Sequence, residues 1–172
     1  MSVAKEQREK LIWEFPNIGK KAPEQEEKAF AYCEGYKEFL NVAKTEREFV
    51  REAVLRLKEA GYEEFEEEKI YQPGDKVYQI NRKKALLMST FGKRPLEDGV
   101  RINVAHIDSP RLDLKPNPLY EKAEAAYFKT HYYGGIRKYQ WATIPLAMHG
   151  VVILKDGTSV DICIGEKEGD PV

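Results

Sequence analysis

Apolar residues in the first third of the chain recur at steps of three and four, which is the period of an α-helix. One apolar stripe covers residues 24–43, and a second covers residues 49–57. Between them, Thr45 precedes Glu48 by three residues, which predicts a capping box at the start of the second helix. Gly61 then follows as a C-terminal stop. We expect both stripes to pack into a core.

Five glutamates between residues 63 and 68 follow the helices. Because like charges repel each other and stay hydrated, we interpret this segment as a solvated linker anchored by Tyr62 and Phe65, with an acidic docking surface as the alternative.

The remainder of the chain shows the period of two and the short apolar runs that are typical of strands. The predicted strands are residues 76–81, 85–88, 100–104, 111–115, 126–133, 151–154 and 159–164. Asp156-Gly157 between the last two predicts a hairpin. Pro116-Asn117-Pro118 is interpreted as a break and a candidate domain boundary. Helices followed by mixed strands predict an α/β or α+β fold with two substructures.

The composition indicates a folded protein rather than a disordered one. The chain has 172 residues, of which 42% are hydrophobic, and 28 basic against 29 acidic residues give a net charge of −1. This length predicts about one domain that buries roughly 70% of its unfolded surface. The near-neutral charge argues against a nucleic-acid partner, and no apolar run is long enough for a membrane span. The two distant cysteines, Cys33 and Cys163, are expected to be reduced thiols that fill apolar spaces in a cytoplasmic protein.

The segment of residues 100–110 carries the candidate chemistry. If its strand continues through Asp108, the side chains of His106 and Asp108 share one side, about 6.6 Å apart at Cα. The carboxylate then reaches one ring nitrogen of His106 and leaves the other nitrogen free to bind a metal. The alternative is a histidine at a strand end that makes a local hydrogen bond and binds no ligand.

Several segments resemble the aspartyl-aminopeptidase-type zinc metallopeptidases. Residues 103–116, with His106-Ile107-Asp108-Ser109-Pro110, are similar to that family's His-x-Asp-Ser-Pro segment. Residues 128–136, with Tyr133-Gly134-Gly135, resemble its Tyr-Gly-Gly loop, and residues 139–141 and 144–152 resemble the segment that follows. The helices of residues 31–48 are similar to the family's N-terminal helices, so the resemblance covers nearly the whole chain in order.

The resemblance implies an α/β fold with two parts. Residues 1–115 would form the N-terminal helices and the start of a metallopeptidase sheet, and residues 116–172 part of an inserted β-rich dimerisation domain. It implies a cytoplasmic metalloaminopeptidase that forms homo-oligomers and removes N-terminal residues, in many cases acidic ones, from peptide substrates. The complete site would hold two divalent ions, with zinc, cobalt and manganese all compatible with such ligands. His106 would be a metal ligand and Asp108 a catalytic residue that orients it.

The family's subunits are substantially longer than this chain, and their further metal ligands lie beyond the point that matches Val172. One histidine cannot hold a zinc ion that needs three protein ligands. We therefore expect the chain to be the N-terminal portion of such an enzyme and to be inactive alone. The alternatives are a non-catalytic assembly module and one half of a split enzyme. Among other candidates, His131 is expected near a substrate cleft, His149 in a structural role, Asp113 in an ion pair, and Asp161 in solvent.

Overall fold

The structure is a computed structural model that describes residues 22–170 and the single positions 7, 11 and 12. The chain forms two compact units, Met1–Asn41 and Val42–Val172. The predicted first domain covers residues 1–115, and its first 21 residues lie outside the described part of the chain, except for positions 7, 11 and 12. Within the described ranges, no helix combines the length and the apolar character that a membrane crossing requires.

Helix α1 spans Pro23–Val42, in agreement with the first apolar stripe. The side chains of Tyr32, Tyr36 and Leu40 are nevertheless exposed to solvent. The expectation that this stripe packs into a core is therefore wrong for these residues, because helical periodicity identifies an apolar face without showing what covers it.

Helix α2 spans Glu46–Glu59 and begins at the predicted capping box. The Thr45 hydroxyl accepts the backbone N–H of Glu48 at 3.4 Å, and the Glu48 carboxylate accepts the backbone N–H of Thr45 at 2.9 Å. These two bonds satisfy donors that the first helical turn otherwise leaves unpaired. The predicted packing of the second stripe is confirmed at Val50, which is buried.

The described residues form seven strands in three sheets. The strands are β1 (Glu63–Glu64), β2 (Lys76–Asn81), β3 (Ala85–Thr90), β4 (Arg111–Lys122), β5 (Ala125–Tyr133), β6 (Met148–Ile153) and β7 (Ser159–Ile164). β1, β2 and β3 form one sheet in that order, while β4 pairs with β5 and β6 with β7, both antiparallel. A 3₁₀ turn at Leu96–Asp98 and helix α3 (Lys138–Trp141) lie between strands. The mixed α/β fold, with helices followed by small sheets, is confirmed.

The glutamate-rich segment differs from the linker interpretation. Glu63 and Glu64 form β1 and pair in parallel with Val77 and Tyr78 of β2. Their side chains are exposed, so the charges stay hydrated while the backbone joins a sheet. Phe65 stacks on a neighbouring aromatic ring, which confirms one of the two predicted anchors.

Two strand predictions need correction. Residues 100–110 form no strand, because no described strand pairs with them and a strand requires such a partner. Pro116-Asn117-Pro118 does not break the chain, since β4 runs through it with a register shift between Leu114 and Leu119. A bulge tolerates proline because the extra residues leave the hydrogen-bonded ladder. The predicted domain boundary after residue 115 falls within β4 and stays a prediction.

The buried apolar residues that the structure describes are Val50, Val77 and Tyr78. Length alone predicts a much larger core, and the numerous exposed apolar side chains contradict that expectation. Every residue of β5 is exposed. Cys33 and Cys163 are free, as expected, but both are exposed, so the prediction that they fill apolar spaces is wrong.

Candidate metal centre

The candidate ligand, His106, lies in the irregular segment between the 3₁₀ turn and β4. Its Nδ1 is 3.1 Å from the backbone oxygen of Asp108 and 3.4 Å from the Asp108 Oδ1. The carboxylate therefore faces the imidazole, as the sequence predicts, although the local backbone is not a strand. The His106 side chain is 85% exposed, so the remaining ring nitrogen is accessible from outside.

The surroundings of Nδ1 define the imidazole tautomer. Both oxygens of Asp108 that face Nδ1 are acceptors, so they favour the neutral tautomer with its proton on that nitrogen. Nε2 then carries a free lone pair, which is the state in which a histidine binds a metal. The carboxylate–histidine arrangement thus fits one coordination position of a zinc site.

The rest of a zinc site is not assembled within the described residues. No group of three or more histidine, cysteine, aspartate or glutamate side chains there is placed to hold a metal. A catalytic zinc ion normally takes three protein ligands and one water. His106 therefore fits the metal as one ligand of a larger set.

A tyrosine from a distant part of the chain completes the surroundings of Asp108. The Tyr133 hydroxyl at the end of β5 donates to Asp108 Oδ2 at 2.6 Å. This bond, together with a backbone bond and the nearby imidazole of His106, holds the pKa of Asp108 below its usual range. The same bond raises the pKa of Tyr133, because the hydroxyl proton is held by a negative partner. Asp108 is therefore ionised at neutral pH while Tyr133 keeps its proton.

Arg111, the first residue of β4, contacts Tyr133 and two carboxylates, one on α2 and one on β4. Its guanidinium lies 4.4 Å from the centre of the Tyr133 ring. It also pairs with Glu46 in the first turn of α2 at 3.0 Å and with Asp113 at 2.7 Å, which confirms the ion pair expected for Asp113. Burial would lower the pKa of Arg111, but the two carboxylates outweigh it and raise that pKa further.

The other two histidines lie elsewhere in the second unit. His131 is on β5, opposite Asp113, and stacks on Tyr132 at 5.4 Å. His149 on β6 lies between two carboxylates, with Nδ1 2.8 Å from Glu48 and Nε2 3.1 Å from Glu166. This placement agrees with the structural role expected for His149.

A cleft of about 1180 Å³ opens between the β4–β5 and β6–β7 hairpins and the start of α2. Leu112 and Phe128 are part of its apolar lining, and Glu48, His149 and Asp161 are part of its polar lining. Asp161 forms an ion pair with Arg51 there, and its side chain is exposed, as expected. His106 and Asp108 do not line this cleft, and the cleft is therefore separate from the candidate ligand.

Sequence reasoning identified His106 and Asp108 but missed Tyr133, Arg111 and Glu46 as their neighbours. The sequence places Tyr133 only in a Tyr-Gly-Gly segment. Tyr133 is the last residue of β5, and the strand that pairs with β5 begins at Arg111, one residue after Pro110. This register places Tyr133 opposite Arg111 and therefore close to the segment that carries Asp108.

A zinc peptidase is the class of protein that this segment and its candidate ligand resemble, and comparison with known families agrees. Residues 39–172 match the family described as aminopeptidase I zinc metalloprotease (M18). The chain belongs to the M18 aminopeptidase family.

Relatives and solved structures support this assignment. The chain is 48% identical over 167 residues to a probable M18 family aminopeptidase 1 of Clostridium acetobutylicum, covering 94% of this chain and 36% of that protein. The crystal structure of aminopeptidase I from Borrelia burgdorferi matches with a TM-score of 0.81 and 45% identity, over 86% of this chain and 37% of that one. The Thermotoga maritima M18 aminopeptidase structure matches with a TM-score of 0.80 and 44% identity, over 93% and 35% respectively. The chain thus spans about a third of the length of the relatives it matches.

Proposed function

We propose that this chain supplies His106 as a zinc ligand, and Asp108 as the residue that orients it, in an aminopeptidase that removes N-terminal residues, including acidic ones, from peptides. The observation that carries the proposal is the His106 ring. Its Nδ1 faces two acceptor oxygens of Asp108, and its Nε2 is accessible, in a chain that belongs to a zinc metalloprotease family.

In this proposal, the residues around His106 determine which of its ring nitrogens carries the proton and how strongly the other donates electrons to the metal. Asp108, kept ionised by Tyr133, holds the proton of His106 on Nδ1 and makes Nε2 a better electron-pair donor. When bound, zinc supplies a water nucleophile at neutral pH and polarises the scissile carbonyl. The complete site in this proposal holds two divalent ions, with cobalt or manganese able to replace zinc.

The proposal predicts that the 172-residue chain alone neither retains stoichiometric zinc nor hydrolyses a peptide. The reason is the ligand count, since three protein ligands are needed and His106 is one. Metal analysis after dialysis and an assay with Asp- and Glu-linked chromogenic reporters test this. Hydrolysis by the purified chain that His106→Ala abolishes would show that the ligand count is wrong.

A chimera tests the assignment of His106 directly. In it, this chain replaces the matching third of the Thermotoga maritima relative, to which it is 47% identical over 148 residues. We expect metal-dependent hydrolysis, and we expect His106→Ala to remove both bound zinc and activity. Asp98→Asn, at an exposed position in the 3₁₀ turn, is the matched control and should change neither. Full zinc content and activity in the His106→Ala chimera would contradict the proposal.

A second proposed role is assembly, in which residues 116–172 are part of a β-rich domain that forms homo-oligomers. The supporting observation is the exposure of β5 along its whole length, including the aromatic residues Tyr127, Phe128 and Tyr132. Apolar, unpaired strand edges favour pairing with another chain. This role is compatible with a non-catalytic module or one half of a split enzyme. Light scattering should show a molecular mass that rises with concentration, and a strict monomer would exclude pairing through this hairpin.

A cytoplasmic location is also part of the proposal. It is supported by the two thiols, Cys33 and Cys163, which are both free. Free, exposed thiols are typical of a reducing compartment. Localisation of a tagged chain by cell fractionation would test this.

A further inference from the structure

Two sequence segments that lie far apart in the chain meet beside the candidate zinc ligand. The Tyr133 hydroxyl donates to Asp108 Oδ2 at 2.6 Å, across a separation of 25 residues. The other carboxylate oxygen, Oδ1, faces His106 Nδ1 at 3.4 Å. The three side chains therefore form a continuous series in which each polar atom of the Asp108 carboxylate has one partner.

The position of Tyr133 is fixed by a contact to its ring and by the close approach of the next residue to Pro110. Arg111 covers the ring at 4.4 Å and is itself held by Glu46 at 3.0 Å. The next residue, Gly134, adopts a φ of +78°, and a Cβ at that position would lie 3.2 Å from the Pro110 side chain. This close approach brings the end of β5 against the segment that carries Asp108.

We propose that Tyr133 is a positioning residue for the zinc ligand: its hydroxyl holds the Asp108 carboxylate in the rotamer that keeps the His106 proton on Nδ1. This inference rests on the proposed function, because it concerns the orientation of His106 as a ligand. Tyr133 acts through Asp108, to which its hydroxyl donates.

A competing explanation makes the experiment decisive. The backbone oxygen of Asp108 is 3.1 Å from His106 Nδ1, closer than the carboxylate oxygen. If this carbonyl alone fixed the tautomer, the hydroxyl of Tyr133 would have no influence on the ring. The two explanations therefore predict different results for the loss of a single oxygen atom.

The test is the tautomer of His106 in the metal-free 172-residue chain, measured by long-range ¹H–¹⁵N correlation NMR. The spectrum separates protonated from bare ring nitrogens, so it reports the tautomer of the neutral imidazole directly. We expect the Nδ1–H form to dominate in the wild type. Tyr133→Phe should lower the ratio of the Nδ1–H to the Nε2–H form by about twofold or more. A twofold change corresponds to about the lower end of the net free energy that one hydrogen bond contributes.

Two further variants control for indirect effects. Tyr132→Phe, which changes the neighbouring ring that stacks on His131, should leave the ratio at its wild-type value. Asp108→Asn should lower the ratio, and adding Tyr133→Phe to it should cause no additional change, because Tyr133 acts through Asp108.

An unchanged ratio in Tyr133→Phe would overturn the inference and show that the Asp108 carbonyl is sufficient. The same result would leave the proposed function intact, since His106 would still carry the correct tautomer. Retention of zinc and activity by the His106→Ala chimera would contradict the proposed function itself, whatever the tautomer of His106. The two failures are therefore distinguishable.

Discussion

Replacing His149 by glutamine should remove a contribution to stability that depends on pH. His149 connects three parts of the second unit, since it lies on β6, Glu48 lies in the first turn of α2, and Glu166 follows β7. Nδ1 is 2.8 Å from Glu48 and Nε2 is 3.1 Å from Glu166. Carboxylates only accept hydrogen bonds, so both contacts form fully only when the imidazole is protonated on both nitrogens.

The pKa shifts define the pH range of this contribution. Burial would lower the pKa of His149, but the hydrogen bonds and charges of Glu48 and Glu166 outweigh it and raise that pKa above 6.5. Stabilisation by His149 is thus fully present below about pH 6.5 and is lost as the pH rises through the raised folded-state pKa. Burial would raise the pKa of Glu48, but His149 and Thr45 lower it below 4.5. Stabilisation by Glu48 is present above about pH 4.5 and is lost as the pH falls through the lowered value.

The contribution of His149 to the free energy of unfolding depends on how deeply its contacts with Glu48 and Glu166 are buried. A hydrogen bond to a charged group contributes about 1.5–3 kcal/mol when it is buried. The side chains of His149 and Glu48 are 12% and 16% exposed, so their bond falls towards the lower end of that range. The Glu166 side chain is 41% exposed, and solvent reduces its pairing to a few tenths of a kcal/mol. After the cost of burying the charges, we expect about 1–2 kcal/mol between pH 4.5 and 6.5.

Urea unfolding of the chain at about pH 6 and about pH 8.5 measures this difference, because stabilisation by His149 is lost as the pH rises through its raised pKa. The free energy of unfolding of the wild type should fall by about 1–2 kcal/mol more than that of His149→Gln over this interval. His131→Gln is the matched control, since His131 is an exposed histidine on β5, and it should follow the wild type. Identical pH profiles for wild type and His149→Gln would refute the reasoning.

Three further substitutions test local features of the fold by the same unfolding measurement. Thr45→Ala removes the N-cap of α2 and should cost about 1 kcal/mol, whereas no change would mean that the capping box is not formed in solution. Gly134→Ala introduces a Cβ against Pro110 at positive φ and should cost about 1–2 kcal/mol, while Gly135→Ala, with open space around it, should cost less. Val50→Ala should cost about 1–3 kcal/mol because Val50 is buried, and a value near zero would exclude it from the core.

Elements whose determinants are close in sequence could be predicted accurately. The capping box needs only Thr45 and Glu48, and both bonds are present. The hairpin between β6 and β7 needs only its turn, where the Asp156 carboxylate accepts the backbone N–H of Thr158 and Gly157 adopts a φ of +88°. In each case a local side chain satisfies a backbone group, so distant parts of the chain have little influence.

Features that depend on a distant partner were predicted poorly. The alternation of residues 100–104 resembles a strand, yet no described strand pairs with it. The stripe of α1 has helical period, yet Tyr32 and Tyr36 are exposed. Periodicity shows which side chains share a face, whereas burial and pairing depend on what lies opposite that face.

The candidate site shows the same division. The contact between His106 and Asp108 spans two residues and was predicted from spacing alone. The contact of Asp108 with Tyr133 spans 25 residues and exists because β5 ends beside the ligand segment. Outside the candidate site, the contact of Glu48 with His149 spans 101 residues and exists because β6 lies beside α2. No local pattern encodes these distances.

Arg111 shows why the ligand segment and the β4–β5 hairpin are physically connected. It is the first residue of β4, it covers Tyr133 on β5, and it pairs with Glu46 in α2. A change in the path of the hairpin would therefore move Tyr133 and, through its hydroxyl, the carboxylate that faces His106. Because Gly134 also packs against Pro110, the backbone of the hairpin has little freedom to move away without losing both contacts. The orientation of the proposed ligand is thus set by tertiary contacts of the hairpin as well as by the two-residue spacing in which it was first recognised.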